Sequence, residues 1–599
     1  MKRALAFLLL LLAAPAASQP AEPSAAIRLN QLGLLPDGPK RALLPDPATA
    51  PLRWQLLDAA GAEQASGQTQ VLGNDPASGE HLHLIDFSTF AGTGEGYSLV
   101  VGEARSRPFA ITADLYRRLP FDALAYFYHN RSGIPIEARF AGGERWARPA
   151  GHMPDRATCI SGPDRAGNRW TGCAYTLDAS RGWYDAGDHG KYVVNGGIAV
   201  WTLLNAWERR HTIFPDGSAA IPEAGNGVDD LLDEARWEME FLLAMQVPEG
   251  ARLRVPVGAR RGTGRLTFTE IDASGMAHHK LADQRWTALP MAPHRDPQTR
   301  FLYPPSTAAT LNLAATAAQC ARVWRTIDPA FSRRCLAAAR RAFAAALRNP
   351  NVSAVDDFDG SGGYGDTDVS DEFYWAAAEL DLTTREETYR ARVAASPFYT
   401  QVPGEPGWQS TATLGTISLA LAGGDREWTD ARQLLVRAAD AFLADEARSG
   451  YRIPYAPQGF TWGSNSNLLN RAIILALAYD FTREARYRAG VIDAMDYLLG
   501  RNPLDRSFIS GYGARPMQNP HHRFWSHSLD PAFPPPPPGV LSGGPNNIAM
   551  ADDVARPLRG HCAPMLCWRD DIHAFSLNEV AVNWNAPLVW VSAWLADAR

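Results

Sequence analysis

The sequence predicts a small β-sandwich followed by a large, mainly α-helical domain of the α/α toroid or barrel type. Three observations carry this expectation. Residues 26–112 alternate apolar and polar positions over short runs broken by turns, and from residue 113 onward the apolar spacing becomes helical. The connections between the predicted helices then alternate between short and long. A chain of 599 residues also exceeds what one hydrophobic core usually organises, which favours two domains.

The chain opens with Met1-Lys2-Arg3, an apolar run from Ala4 to Ala14, and the small residues Ala16, Ala17 and Ser18, the pattern of a signal peptide over residues 1–18. The run is shorter than the ~20 residues that cross a bilayer, and no later stretch of that length lacks polar residues, so an exported protein, periplasmic or secreted, without a membrane anchor is expected. The sandwich is expected over 25–112, with strand-like runs at Ile27-Arg28-Leu29, Ala42-Leu43-Leu44, Leu52 to Leu56, His81 to Ile85 and Tyr97 to Val101.

The helical domain is expected over 113–599. Its clearest helix spans 228–246, where Val228, Leu231, Leu232, Ala235, Met239, Leu242 and Leu243 share one face. Similar stretches lie near 115–130, 196–211, 306–325, 329–347, 371–380, 384–396, 408–423, 429–446, 465–481, 484–499 and 576–597, which makes twelve helices. Long links at 131–195, 247–305, 348–370, 447–464 and 500–575 alternate with short ones. In an antiparallel array, alternate links emerge at one end, so nearly all the long segments share one face, where a site is usually built. A helical solenoid has the same pattern and remains open at this point.

The net charge is −6 and no Lys/Arg-rich run follows residue 3, which argues against nucleic acid or an anionic membrane as partner and favours a neutral or weakly charged one. No obligatory protein partner is implied. Six cysteines fall into three local pairs, Cys159/Cys173, Cys320/Cys335 and Cys562/Cys567, although fifteen connectivities are possible. An oxidising compartment favours disulfides. Zinc is not expected, because no Cys/His quartet completes a site around Cys159 and Cys173.

Four constellations carry potential chemistry. In Gly182-Trp183-Tyr184-Asp185-Ala186-Gly187-Asp188-His189-Gly190-Lys191-Tyr192, two carboxylates three residues apart can share a proton or a water. An isolated D-A-G-D is more often a turn that caps amides, but flanking aromatics suit the apolar faces of sugar rings. In the segment from Trp568 to Val580, Glu579 stands near the start of the last helix, where a carboxylate often complements the dipole or closes a capping box with Ser576. Asp570, Asn578, Asn583 and Asn585 make that apolar segment unusually polar. The third is Asn519-Pro520-His521-His522-Arg523 on a long loop, where hydrogen bonding to hydroxyls is favoured over metal. The fourth, Asp366, Asp368, Asp371 and Glu372, is an oxygen-rich entry to a helix that suits calcium, although its spacing is no EF-hand and a solvated helix start shares the pattern.

At these residues the chain resembles glycoside hydrolase family 9, the inverting cellulases, in the subgroup with an N-terminal immunoglobulin-like domain. Ser507-Phe508-Ile509-Ser510 with His521-x-Arg523 resembles one family signature, and Trp568-x-Asp570, Phe575, Glu579, Ala581 and Asn585-Ala586 resemble the second. The resemblance covers nearly the whole mature chain. It implies an (α/α)6 barrel preceded by a small immunoglobulin-like β-sandwich, and an endo-1,4-β-glucanase acting on a β-glucan. Exo-action from chain ends, releasing glucose, cellobiose or glucosamine, is the runner-up. A carbohydrate-binding protein that lost its chemistry is the rival of another class, and the intact carboxylates argue against it.

The resemblance further implies that Asp188 is the general base, Asp185 its partner on the nucleophilic water and Glu579 the general acid, with His521, Arg523 and Asp570 completing the site. Trp183, Tyr184, His189 and Tyr192 are candidates for substrate contact. Glu579 is expected to keep its proton through burial and proximity to Asp570, and Asp188 to be supported by His189 or Lys191. A structural calcium at Asp366, Asp368, Asp371 and Glu372 is also implied. Relatives with zinc near the first motif have a histidine beside the second cysteine, where this chain has Ala174, so a Cys159–Cys173 disulfide is expected instead.

Overall fold

The structure is a computed structural model that describes residues 25–258, 266–422, 429–455 and 459–597. The expected signal peptide lies outside the described residues. Eight strands form the N-terminal domain: β1 (Arg41–Pro45), β2 (Arg53–Leu57), β3 (Glu63–Gln68), β4 (Gln70–Asp75), β5 (Glu80–Asp86), β6 (Gly94–Val101), β7 (Ala104–Arg105) and β8 (Phe109–Ile111). One sheet has the order β1-β5-β4 and the other β3-β2-β6-β7, with β8 also on β6. Inward-pointing Ala42, Leu44, Trp54, Leu56, Ile85, Leu99 and Ile111 fill the space between them, the alternation that a half-buried strand requires. Four strands escape the sequence reading: β3 and β4 carry Glu63-Gln64 and Asn74-Asp75 and show little apolar alternation, and β7 and β8 are only two and three residues long.

Leu43, Leu82 and Leu84 point to the other side of the β1-β5-β4 sheet and belong to the core of the helical domain. Strands buried on both faces read as continuous apolar runs, which is why Ala42-Leu43-Leu44 and Leu82-His83-Leu84-Ile85 stand out. Each leucine so buried contributes about 1.5–3 kcal/mol. Polar ties surround the contact: Arg41 donates to Asp493 at 2.5 Å, Asn30 donates to Asp496 at 2.9 Å, and the Gln31 amide donates to the Leu499 carbonyl. The sandwich is thus a brace fused to the barrel wall.

Among the described residues twelve long helices follow: α1 (Leu119–His129), α2 (Val193–Arg209), α3 (Asp230–Ala244), α4 (Thr307–Val323), α5 (Pro329–Arg348), α6 (Ser370–Thr384), α7 (Glu387–Ala395), α8 (Ala412–Ala422), α9 (Thr429–Arg448), α10 (Ser464–Thr482), α11 (Ala485–Leu498) and α12 (Val582–Asp597). The even-numbered six form an inner ring: α12 packs on α2, α2 on α4, α4 on α6, α6 on α8 and α10 on α12, with α9 against both α8 and α10. Their sequences explain the placement. In α4, all but one of the seventeen residues of TAATLNLAATAAQCARV are buried, and a helix that is apolar all round belongs inside. The outer α5 is amphipathic, with Phe331, Cys335, Ala339 and Ala342 inward and Arg333, Arg334, Arg340 and Arg341 outward. Pro329 in its first turn and Asp328, which accepts from Ala330 and Phe331, start it.

The ring closes where α12 meets α1, α2 and α10. A solenoid leaves its first and last helices apart, so the architecture is the (α/α)6 barrel. The outer-to-inner links 130–192, 245–306, 349–369, 396–411, 449–463 and 499–581 include the four longest, and all emerge at the N-terminal ends of the inner helices; the inner-to-outer link 210–229 is longer than 396–411 and 449–463. Disulfides join Cys159 to Cys173 and Cys562 to Cys567. The third expected pair differs: Cys320 on α4 and Cys335 on α5 are buried thiols whose sulfurs stand 2.7 Å apart. Among the described residues no helix is long and apolar enough to cross a membrane.

Candidate active site

Three loop segments meet above the inner ring. The first is 185–192, which runs directly into α2. Gly187 permits the meeting: a Cβ there would lie 2.4 Å from the His521 carbonyl oxygen, so only glycine lets the two backbones approach. The Arg523 amide and its guanidinium both donate to the Gly187 carbonyl at 3.0 Å. The His521 amide donates to the Asn578 carbonyl and the Gly543 amide to the Glu579 carbonyl. The first amide of α12, on Val582, donates to the Asp185 carbonyl at 2.8 Å, which satisfies a helix-terminal donor and ties the first motif to the last.

Glu579 differs from its sequence expectation. A short turn, Phe575–Asn578, ends just before it, and Glu579 itself is extended, with ψ of 165°, bridged in parallel to His521. It caps nothing. Ser576, its expected capping-box partner, instead donates to Asp552. Pairing of 578 and 579 with neighbouring loops competes for their carbonyls and breaks the helix expected over 576–597.

Glu579 and Asp188 line one cleft of about 1250 Å³, together with Tyr192, Tyr364, His521, Arg523 and Phe575. Burial, and then the charges of Asp188 and Asp185, push the Glu579 carboxyl well above its usual range. Asp185 lies just beneath, 1% exposed. Burial and the Asp188 charge raise its pKa to about 8. Tyr364 donates to Asp185 Oδ2 at 2.9 Å and Asn195 at 3.2 Å, while Asp185 Oδ1 has no protein partner. Tyr192 donates to Asp188 Oδ2 at 3.2 Å and accepts from the Gly362 amide at 2.8 Å. His521 Nδ1 donates to the Ile572 carbonyl at 2.6 Å, which leaves Nε2 with its lone pair toward the cleft. Burial holds this imidazole neutral, with its pKa lowered to about 4.

Several sequence-proposed residues lie elsewhere. Trp183 is 1% exposed and directed into the protein, its amide on Glu238 and its indole on Glu234; it offers no face to a sugar. Tyr184 is buried with its hydroxyl on His152, and His189 is buried on Asp296. Lys191 turns away to Asp155, so the cation whose charge Asp188 shares is Lys280. Asp570 does not face the cleft: it accepts from the amides of Gln518 and Asn519 and from the Asn578 side chain. It positions the loop that carries His521, and the rise at Glu579 comes first from burial and then from Asp188 and Asp185, not from Asp570. Residues that sequence reasoning missed are Tyr364, Asn195 and the cleft-lining Trp286, Trp408, Trp462 and Trp584. Aromatic side chains on long loops were the available signal, since Trp286 and Trp462 stay 50% and 36% exposed.

Buried carboxyls make folding pH-dependent. Asp185 and Glu238 are raised to about 8, first by burial, whereas in the unfolded chain they ionise near 4. Between pH 6.5 and 8 the folded state therefore holds protons that the unfolded state has lost, and stability falls as pH rises. The melting temperature is expected to drop across that window, and Glu238→Gln to flatten the drop while keeping the acceptor for Trp183. A melting temperature independent of pH there would contradict this.

The sequence model of Glycosyl hydrolase family 9 matches residues 116–592, and that of the Cellulase N-terminal ig-like domain matches 22–106. The chain belongs to glycosyl hydrolase family 9. Its relatives include Cellulose 1,4-beta-cellobiosidase of Acetivibrio thermocellus, 44% identical over 96% of this chain and 68% of that one. Endoglucanase C of Cellulomonas fimi is 45% identical over 95% of this chain and 52% of that one, so the present chain spans about half of that relative. The family 9 structure of AaCel9A in complex with cellobiose-like isofagomine superposes with a TM-score of 0.78 at 30% identity, over 96% of this chain and 100% of that one.

The acidic stretch of this family 9 chain borders the same cleft. Asp366 Oδ2 and Glu372 Oε2 are buried without partners, and Asp371 accepts from the Thr411 amide at 2.6 Å. Burial and the neighbouring Asp371 and Asp366 push Glu372 up to about 11. Asp368 departs from expectation: it is exposed and accepts from the Ser370 amide. Among the described residues, the set of three His, Cys, Asp or Glu whose ligand atoms all lie within 4.8 Å is a different one, His152, His189 and Asp296.

Proposed function

We propose that this family 9 chain is an exported endo-1,4-β-glucanase that cleaves β-1,4-glucosidic bonds with inversion, Glu579 serving as general acid and Asp188 as general base. The observation that carries the reading is the shared cleft of Glu579 and Asp188 with the raised proton affinity of Glu579. At neutral pH Glu579 keeps the proton that the leaving glycosidic oxygen needs. Inversion needs acid and base about 6.5–9.5 Å apart, with room for a water beneath the anomeric carbon. The Oδ1 of Asp185, without a protein partner, is left to hydrogen-bond that water. Asp185 itself is positioned by Tyr364 and Asn195, and Asp188 by Tyr192. Arg523 shapes the loop under the cleft, and His521 Nε2 is free to accept from a sugar hydroxyl. Tyr192, Tyr364, Trp286, Trp408, Trp462 and Trp584 supply apolar faces for pyranose rings.

Endo-action is supported by the endoglucanase relative and by a cleft of about 1250 Å³ that Trp286 and Trp462 line together with the carboxylates. The cellobiosidase relative favours exo-action as the second reading. On carboxymethylcellulose, viscosity is expected to collapse well before reducing ends accumulate. A proportional release of cellobiose with little loss of viscosity would reject endo-action.

Asp366, Asp371 and Glu372 fit a hard dication such as calcium, which would neutralise buried carboxylates that protein groups leave unsatisfied. Removing calcium is expected to lower the melting temperature by on the order of 5 °C, restored by calcium and not by zinc. Glu372→Gln should abolish the response. Indifference of the wild-type chain to chelator would reject the site.

A further inference from the structure

His152, His189 and Asp296 lie behind the catalytic loop and line no part of the cleft. Their ligand atoms lie within 4.8 Å of one another. The His189 side chain is 3% exposed and that of Asp296 is 0% exposed. Nε2 of His152 and Nε2 of His189 are both buried and both without a protein partner. Two orphaned ring nitrogens in one buried cluster are costly unless something bonds to them.

The remaining atoms are arranged as a metal site arranges them. Nδ1 of His189 donates to Asp296 Oδ2 at 2.6 Å, and the second oxygen of Asp296 is held by the Gln298 amide at 3.0 Å. A carboxylate on Nδ1 fixes the tautomer whose lone pair sits on Nε2 and makes that nitrogen a better ligand. Nδ1 of His152 meets the Tyr184 hydroxyl at 2.7 Å; when Nδ1 donates to that oxygen, the lone pair of His152 likewise sits on Nε2. The two rings are 5.7 Å apart between centroids. His152 also has a φ of 51°, a left-handed backbone that a non-glycine residue adopts only where its surroundings require it. Of the cations near the cluster, Arg300 is bound to Asp155 and Asp283 and Arg523 donates to the Gly187 and Thr287 carbonyls, so the carboxylate of Asp296 is left to balance an incoming charge.

We propose that His152 and His189, with Asp296, form a binding site for a borderline transition-metal dication of the zinc class. Imidazole nitrogens select such ions over calcium. The site is separate from the acidic stretch and from Cys159 and Cys173, which are joined in a disulfide. Because His189 follows Asp188 directly, a bound ion would pin the back of the loop that carries the base.

The test uses the untagged chain, stripped with a chelator and dialysed, then titrated with Co(II) in the visible region. One equivalent is expected to bind with d–d bands of nitrogen and oxygen ligation and no sulfur-to-metal charge transfer, and to be displaced by Zn(II). His152→Ala, whose residue lies on a partly exposed loop, is expected to abolish binding. Asp296→Asn should weaken it at least about 10-fold, with the far-ultraviolet dichroism of both variants unchanged. Absence of stoichiometric binding in the wild-type chain, which would leave a bridging water between the rings, overturns the proposal. So does binding that persists in His152→Ala, or a charge-transfer band assigning the ion to Cys320 and Cys335.

Discussion

Glu579→Gln is expected to reduce turnover of cellopentaose by about 100- to 10,000-fold, the range that removal of a general acid usually costs. The amide is nearly isosteric, and the backbone of 579 is held by the Gly543 amide and the bridge to His521, so the fold should survive. The diagnostic lies in the leaving group. A dinitrophenyl β-cellobioside departs without protonation, so the variant should retain most of its wild-type rate on that substrate. The alkaline limb of the wild-type pH profile reports loss of the Glu579 proton and should disappear in the variant. Equal losses on both substrates, or a surviving alkaline limb, would reject Glu579 as acid.

Asp188→Ala should behave in the opposite way. Without the base no water is activated, so turnover is expected to fall on the order of 1,000-fold on cellopentaose and dinitrophenyl cellobioside alike. Azide, which needs no deprotonation, should restore the activated substrate and yield the α-glycosyl azide, since attack from the face opposite the leaving group inverts the centre. A β-configured product would mean retention and would overturn the mechanism.

Much of the barrel was legible because its two rings obey different rules. The inner helices, such as α4, are apolar on every side, whereas the outer ones, such as α5, carry one arginine-studded face, and both patterns are local. Link lengths then told which end would hold the site. What was hidden depends on pairings distant in sequence. The small sheet of Lys191–Tyr192, Lys280–Asp283 and Arg300–Leu302 brings together three segments that carry no strand pattern of their own. That sheet turns Lys191 away from Asp188 and sets Lys280 near it.

The site was legible as a set of motifs but not as a set of orientations. Trp183 and Tyr192 flank the same two carboxylates, yet Trp183 is bridged to Arg131 with its indole on Glu234, and of the two only Tyr192 reaches the cleft. Asp570 belongs to a dense motif because it holds the backbone of 518 and 519, a role that composition cannot distinguish from contact with substrate. Tyr364 arrives from a different loop and was invisible for that reason.

The seat of α12 between α1, α2 and α10 has a consequence for the life of the nascent chain. A chain that emerges N-terminus first holds an open horseshoe until its last segment docks, with the apolar flanks of the earliest and later inner helices exposed to proteases and to one another. That same segment delivers Glu579 and clamps the Asp185 carbonyl through Val582. Ring closure and the delivery of Glu579 to the cleft are therefore one event.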